Sequence, residues 1–305
     1  MLRNIRDFFY FSIGCIQSVW LLLWWRPNAL FVKGGFVGLP VGLAAALLRI
    51  PIVTHDSDTL PGLTNRVLSR FAKYSCVAMP EQFYSYAPEK MKRTGLPVRP
   101  EWQHVTIAAQ KEARQQLGIP DDAFVISVTG GSLGAVRLNN AVMSIARQYL
   151  ADANAWLLHV TGANQIKEIK LFYESLPDGE NKRVLAWPYT DELHVVSAAS
   201  DIVVTRAGST IHELSIQQKT VILVPNPVLT GGHQTINAKA IANIDAAVVV
   251  TEKEIAETNG RALLDAVLHL QNNPKQAKQL AEHLSTLAIP DAATRIVTVI
   301  EEACA

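Results

Sequence analysis

Short apolar runs of strand type alternate with longer segments of helical spacing along nearly the whole chain. Over the first hundred residues the runs ALFVK (29–33), PIVTH (51–55) and SCVAMP (75–80) read as strands. GLPVGLAAALLRI (38–50) and GLTNRVLSRFAKY (62–74) between them carry helical spacing. From Glu89 to Gln110 the periodicity is lost and Pro97 and Pro100 appear, which places a linker near residues 98–104. The alternation then resumes. AFVISVT, AWLLHVT, KRVLAWP, DIVVTR, TVILVP and AAVVVT are predicted strands, separated by predicted helices that include LNNAVMSIARQYLA and HQTINAKAIANI. Two amphipathic helices are expected to close the chain, the last over DAATRIVTVIEEACA. Strands and helices in this rhythm predict parallel sheets with right-handed crossovers, and so an α/β fold of two Rossmann-like domains. The expected boundaries are 1–99 and 100–305, with the last helix (about 290–305) returning towards the first domain.

The segment FFYFSIGCIQSVWLLLWW (Phe8 to Trp25) is near the lower length limit for crossing a bilayer. A signal peptide is excluded by the missing small-residue cleavage site and by Asp7 before the apolar run. Ser12, Gly14, Gln17 and Ser18 weaken a spanning helix. The favoured reading is a cytosolic helix whose apolar surface packs on protein or rests on the membrane surface.

Composition changes this picture in two places. A formal net charge of +1 carries no clustered excess of Lys and Arg, which excludes a duplex nucleic-acid partner. Cys15, Cys76 and Cys304 are odd in number and lack metal-site spacing, so they read as reduced thiols, and neither a metal nor a cofactor is expected.

The candidate chemistry sits where strands break into helices, the edge at which open parallel sheets bind ligands. KGGFVG carries Gly34 and Gly35, and VTGGSLG carries Gly130, Gly131, Ser132 and Gly134. Each offers backbone N–H groups and a helix N-terminus to an anion. Neither is a GxGxxG dinucleotide fingerprint or a P-loop with its lysine. TRAGSTIHEL places Gly208 before a helix and Glu213 inside it, where an ionised carboxylate could accept both hydroxyls of a ribose. NPVLTGGHQTINA groups His233, Gln234 and Asn237 at a helix start, with the paired donors and acceptors that sugar hydroxyls need.

Taken in order, KGGFVGLPVGLAA, THDSDTLPGLTNR, GLPVR, VTGGSLGAVRLNN, TRAGSTIHEL, GGHQTINA and IPDAATR resemble the MurG family of GT-B glycosyltransferases. The resemblance covers nearly the whole chain. It implies transfer of N-acetylglucosamine from UDP-GlcNAc to the lipid-linked muramoyl-pentapeptide, lipid I, by a cytoplasmic enzyme peripheral on the inner face of the cell membrane. It implies that Gly131, Ser132, Gly134 and the loop amides hold the diphosphate, with Arg99 near the donor. Tyr189 and Thr190 would lie at the uracil, Glu213 on the ribose, and His233, Gln234 and Asn237 around the sugar, with Gly208 also among the donor-binding residues. Gly34, Gly35 and the HDSD run, including Asp58, would face the acceptor. The chain departs from the family pattern in having Asp56 and Asp58 where Glu and Asn are usual, and in one residue fewer between the glycine and Glu213.

The family pattern also begins with a strand ending in GGTGGH, whose histidine is the favoured base, and no such segment occurs here. The N-terminal domain is therefore expected to be incomplete. A truncated sequence, an enzyme split over two chains and a shortened non-catalytic relative all fit, and a partner chain supplying the absent units is one expectation. An inverting transfer needs a base for the acceptor hydroxyl and donors for the leaving diphosphate. His55 and Asp56 are the base candidates within this sequence. The alternatives are a GT-B transferase for another lipid acceptor, and a non-catalytic subunit that binds UDP-sugar beside a partner.

Overall fold

The computed structural model describes residues 2–131, 134–228 and 230–305. The chain divides into two compact units, residues 1–98 with 289–305, and residues 99–288. The first begins with α1 (Leu2–Trp25), β1 (Leu30–Val32), α2 (Gly38–Leu47), β2 (Ile52–Asp56), α3 (Leu63–Leu68), β3 (Tyr74–Val77) and β4 (Met91–Arg93). Its four strands pair in parallel in the order β1-β2-β3-β4. Strand β4 falls in a stretch without apolar periodicity. Its MKR side chains are all half-buried, so the pairing with β3 rests on backbone bonds that leave no hydrophobic signature.

The second unit runs through α4 (Ile107–Leu117), β5 (Phe124–Thr129), α5 (Val136–Leu150), β6 (Ala155–Val160), α6 (Ile166–Glu174), β7 (Val184–Trp187) and α7 (Leu193–Ala199). It continues with β8 (Ile202–Thr205), α8 (Thr210–Gln217), β9 (Thr220–Leu223), α9 (His233–Ala242), β10 (Val248–Val249), α10 (Glu252–Glu257), α11 (Arg261–Asn272) and α12 (Pro274–Ser285). The strands form one parallel sheet in the order β10-β9-β8-β5-β6-β7. Successive strands add outward from β5 on one side as far as β7, and then from β8 on the other. The order thus reverses between β5 and β8, where a doubly wound sheet opens its ligand crevice. Strands β8 and β9 are buried at every position, as expected of strands covered on both faces. Helix α5 sets Leu138, Val142, Ile145 and Ala146 against Ile126, Val128, Leu157 and Val204 of the sheet.

Helix α13 (Ala292–Cys304) packs Val299 and Ala303 against Val53 and Cys76, and so belongs to the first unit. Four helices follow β10 among the described residues, where the sequence pattern suggested two. Thr251 opens α10 with a capping box closed by Glu254, Asn259 and Gly260 take positive φ and break it from α11, and Pro274 starts α12.

Helix α1 confirms the predicted apolar element and divides into two faces. Ser18 and Leu22 are buried, Gly14 lies against Pro40 of α2, and the Ser18 hydroxyl donates back to the Gly14 carbonyl at 2.6 Å. Phe8, Phe9, Ile16, Trp20, Trp24 and Trp25 are exposed, with Trp20 and Trp24 stacked. By length and composition, Arg6–Trp25 is long and apolar enough to cross a membrane.

Candidate active site

At the reversal point of the second sheet a cleft of about 470 Å³ opens against the loop that leaves β5. Gly130, Gly131 and Gly134 line it together with Arg206 after β8, Asn226 and Val228 after β9, Gln234 on α9 and Glu252 on α10. Ser132, the expected hydroxyl donor, lies outside the described residues. The loop depends on Gly134, which has φ +74°, and a Cβ there would stand 2.5 Å from the Thr161 carbonyl oxygen. Any side chain would push the loop off β6.

The next two loops close on this cleft through amide side chains. Asn237 is buried and its Nδ2 donates to the Ala207 carbonyl at 3.1 Å, tying α9 to the loop before α8. Gln234 accepts from the Asn226 amide at 2.9 Å, and its Nε2 is the nearest atom to a Cβ placed on Gly208. His233 opens α9, half-buried, against Gly231. The three polar residues grouped by sequence therefore share one helix start, but Gln234 alone of them lines the cleft.

A second cluster stands at the same edge of the sheet. Arg99 donates from Nη2 to the Asp191 carbonyl at 3.2 Å, and the Tyr189 hydroxyl donates to Asp191 Oδ1 at 2.8 Å. Thr190 accepts the Glu192 amide at 3.0 Å, which fixes the turn between β7 and α7. Glu213 lies in the first turn of α8. Burial raises its pKa, and the charge of Arg99 and a bond from Thr210 oppose that shift. Arg99, Tyr189, Thr190 and Glu213, scattered in sequence, thus sit beside one another.

In the first unit, Gly34 and Gly35 both take positive φ after β1, and the Gly35 carbonyl accepts from the Thr64 hydroxyl at 2.8 Å. Asp56, at the end of β2, is 4% exposed. Its Oδ1 accepts from Asn65 at 2.9 Å and its Oδ2 from the Tyr86 hydroxyl at 2.7 Å. Burial nevertheless raises its pKa above the usual carboxylate range. His55 has no exposed surface. Its Nε2 bonds the Gly95 carbonyl at 2.8 Å, Nδ1 has no hydrogen-bond partner, and burial lowers its pKa. Asp58 is half-buried, and its carbonyl accepts from the Tyr84 hydroxyl.

Sequence reasoning missed Arg137, Arg206 and Glu252. Glu252 is a cap-region residue far along the chain from either arginine, and only the strand order brings them together. Tyr86 was missed as well, because it lies in the stretch that precedes β4 and carries no periodic signal.

A doubly wound sheet with a glycine loop at its reversal point, walled by arginines and amides, defines the class as nucleotide-binding α/β proteins. Comparison with known proteins narrows this. The glycosyltransferase family 28 N-terminal domain matches residues 1–77, and the family 28 C-terminal domain matches residues 125–296. The UDP-N-acetylglucosamine–N-acetylmuramyl-(pentapeptide) pyrophosphoryl-undecaprenol N-acetylglucosamine transferase of Desulforudis audaxviator (strain MP104C) is 36% identical over 293 residues, 95% of this chain and 77% of that relative. The protein of the same name from Bacillus subtilis (strain 168) is 30% identical over 303 residues, 98% of this chain and 80% of its own. The crystal structure of Acinetobacter baumannii MurG matches with a TM-score of 0.76 at 25% identity, covering 94% of this chain and 77% of that one. The chain belongs to glycosyltransferase family 28, among its MurG-type N-acetylglucosamine transferases.

Proposed function

We propose that this chain transfers N-acetylglucosamine from UDP-N-acetylglucosamine to a muramoyl-pentapeptide carried on undecaprenyl diphosphate. The observation that supports this most directly is the cleft at the β5/β8 reversal, where a glycine loop, two arginines and the amide of Gln234 converge in a chain of MurG type. The diphosphate lies along Gly131, Ser132 and Gly134. The nucleoside lies toward Tyr189, Thr190, Arg99 and Glu213, with Gly208 on the donor side, and His233, Gln234 and Asn237 serve the sugar. The acceptor meets the first unit at Gly34, Gly35, Asp56 and Asp58. The exposed aromatic face of α1 supports a position at the cytoplasmic membrane surface, where the lipid-linked acceptor is found.

The acceptor hydroxyl oxygen attacks the anomeric carbon, the bond from that carbon to the UDP oxygen breaks, and the configuration inverts. Charge developing on the diphosphate is met by fixed backbone N–H groups and guanidinium groups, which need no reorganisation during the step. The hydroxyl proton passes to a base. Of the two candidates the geometry favours Asp56. Its Oδ2 is bonded by the phenol of Tyr86, a half-buried side chain, whereas His55 has no exposed surface. Asp56→Asn is expected to lower kcat about 100-fold or more while leaving UDP affinity unchanged. The acid limb of kcat should lie above the normal carboxylate pKa, since a base is lost as pH falls through its raised value. Equal kcat in that variant would remove Asp56 from the reaction.

A second reading is a UDP-sugar-binding subunit that acts with a partner chain. It is favoured by β1, which pairs with β2 alone among the described strands, and by the exposed aromatics of α1. One experiment separates the two: transfer of labelled N-acetylglucosamine to a lipid I analogue by the purified chain, with UDP binding measured on the same sample. Turnover supports the first reading, binding without turnover supports the second, and absence of UDP binding overturns both.

A further inference from the structure

Glu252 is enclosed at the base of the donor cleft, with its side chain 4% exposed, yet it carries two guanidinium groups rather than one. Arg206 Nη2 stands 2.7 Å from Oε1, and Arg137 Nη1 stands 2.9 Å from Oε2. The two arginines differ sharply in setting. Arg206 is buried, and its Nη1 is committed to the Val224 carbonyl at 2.8 Å, so it is fixed between strand end and carboxylate. Arg137 lies in the first turn of α5, immediately after the glycine loop, and two thirds of its side chain is exposed.

Charge accounting gives this arrangement a direction. One buried carboxylate needs one buried cation, and Arg206 meets that need within the wall. Arg137 is then a surplus positive charge, held beside backbone N–H groups on the cleft lining. A guanidinium has five N–H donors in a planar fork, and a single bond to Glu252 leaves the rest of that fork for a second acceptor. Planar, bidentate donors of this kind match phosphate oxygens. A long arginine side chain on an exposed helix turn would otherwise sample many rotamers, and a bond to an immobile carboxylate removes much of that freedom before any ligand arrives.

We infer that Arg137 is a phosphate contact for the donor diphosphate, and that Glu252, itself anchored by Arg206, is the positioning residue that holds Arg137 toward the cleft. The inference rests on the donor placement proposed above and extends it to three residues that the glycine-loop pattern does not include. It also assigns α10 a function. The capping box of Thr251 and Glu254 fixes the start of that helix, and Glu252 is its first residue.

The test compares UDP with uridine on the intact chain by titration calorimetry. Arg137→Ala should raise the Kd for UDP about 10-fold or more and leave uridine unchanged, because only UDP carries the group Arg137 meets. Arg137→Lys should recover part of the loss, and the salt dependence of UDP binding should weaken in Arg137→Ala. Glu252→Gln should weaken UDP by a smaller factor, with little further loss when combined with Arg137→Ala, since both act through one guanidinium. Equal UDP affinity in Arg137→Ala, or equal losses for UDP and uridine, would overturn the inference while the donor placement stands. A wild-type chain that binds uridine and UDP equally would overturn it as well, and one that binds neither would overturn the donor placement along with it. Arg137 is largely exposed, so its variants should fold, and their thermal unfolding checks this. The informative comparison therefore does not depend on the buried Glu252.

Discussion

Glu213→Ala is expected to raise the Kd for UDP by about 10- to 100-fold, the range for losing hydrogen bonds to a charged group. The argument starts from the chain, where a glycine and a short polar turn lead from β8 into α8 and leave Glu213 in the first helical turn. There it is partly enclosed and its pKa is raised by burial, so an ionised carboxylate at that place is held at a cost. Arg99 offsets part of the cost. An ionised carboxylate only accepts, and a ribose presents two adjacent hydroxyl donors, so ligand and residue each supply what the other lacks. Glu213→Gln should fall between wild type and alanine, because one acceptor oxygen remains. Inorganic diphosphate, which has no ribose, should bind all three proteins alike. Unchanged UDP affinity in Glu213→Ala would move the ribose elsewhere, and would show that the shortened spacing before this glutamate has turned it from the ligand.

The elements that position this site were legible in the sequence for a physical reason. Buried parallel strands must be apolar on both faces, so β5, β8 and β9 announce themselves as β-branched runs, and a tight turn against a neighbouring strand admits only glycine at Gly134. What stayed hidden depends on strand order. Nothing local to Glu252 distinguishes it from any acidic residue in the first turn of a helix, and Arg137 reads as an ordinary solvated arginine. They meet because β5 lies beside β8 and α10 returns to the start of α5, a juxtaposition that no local pattern encodes. His55 shows the opposite case. A histidine at a strand end next to an aspartate has the sequence profile of a base, but the pleat turns it inward against Gly95 while Asp56 meets Asn65 and Tyr86. Both residues are buried, and it is the partner each one meets that distinguishes them.

Acidification should destabilise the second unit through His159, which is fully buried in β6 and whose pKa is pushed down to about 3 by burial. Its partners define its state. Asn139 uses Nδ2 to donate to the Thr161 carbonyl and to Gln165, leaving Oδ1 to accept from His159 Nε2 at 3.1 Å. Nδ1 then accepts from the Tyr173 hydroxyl at 2.8 Å. The ring is neutral, with both nitrogens satisfied, and a second proton on Nδ1 would face a hydroxyl already turned toward it. Above pH 6.5 the ring is neutral in both states and has no effect on pH dependence. Between there and about 3 the unfolded chain binds a proton that the native one refuses, so stability falls as pH falls. By pH 4 the loss attributable to this residue should reach about 3 kcal/mol, from roughly 2.5 pKa intervals of differential protonation at 1.36 kcal/mol each. Asp56 and Glu213, whose pKa values are raised, act with the opposite sign, and His55 acts in the same direction, so the comparison must be with a variant rather than with pH alone. His159→Gln keeps an amide able to bond both neighbours and removes the titration. Urea unfolding at pH 7 and pH 4 should therefore show the wild type losing more stability than the variant by about that amount. Parallel pH curves for the two would mean that the native ring accepts its proton without penalty, and that the β6 network opens before the unit unfolds.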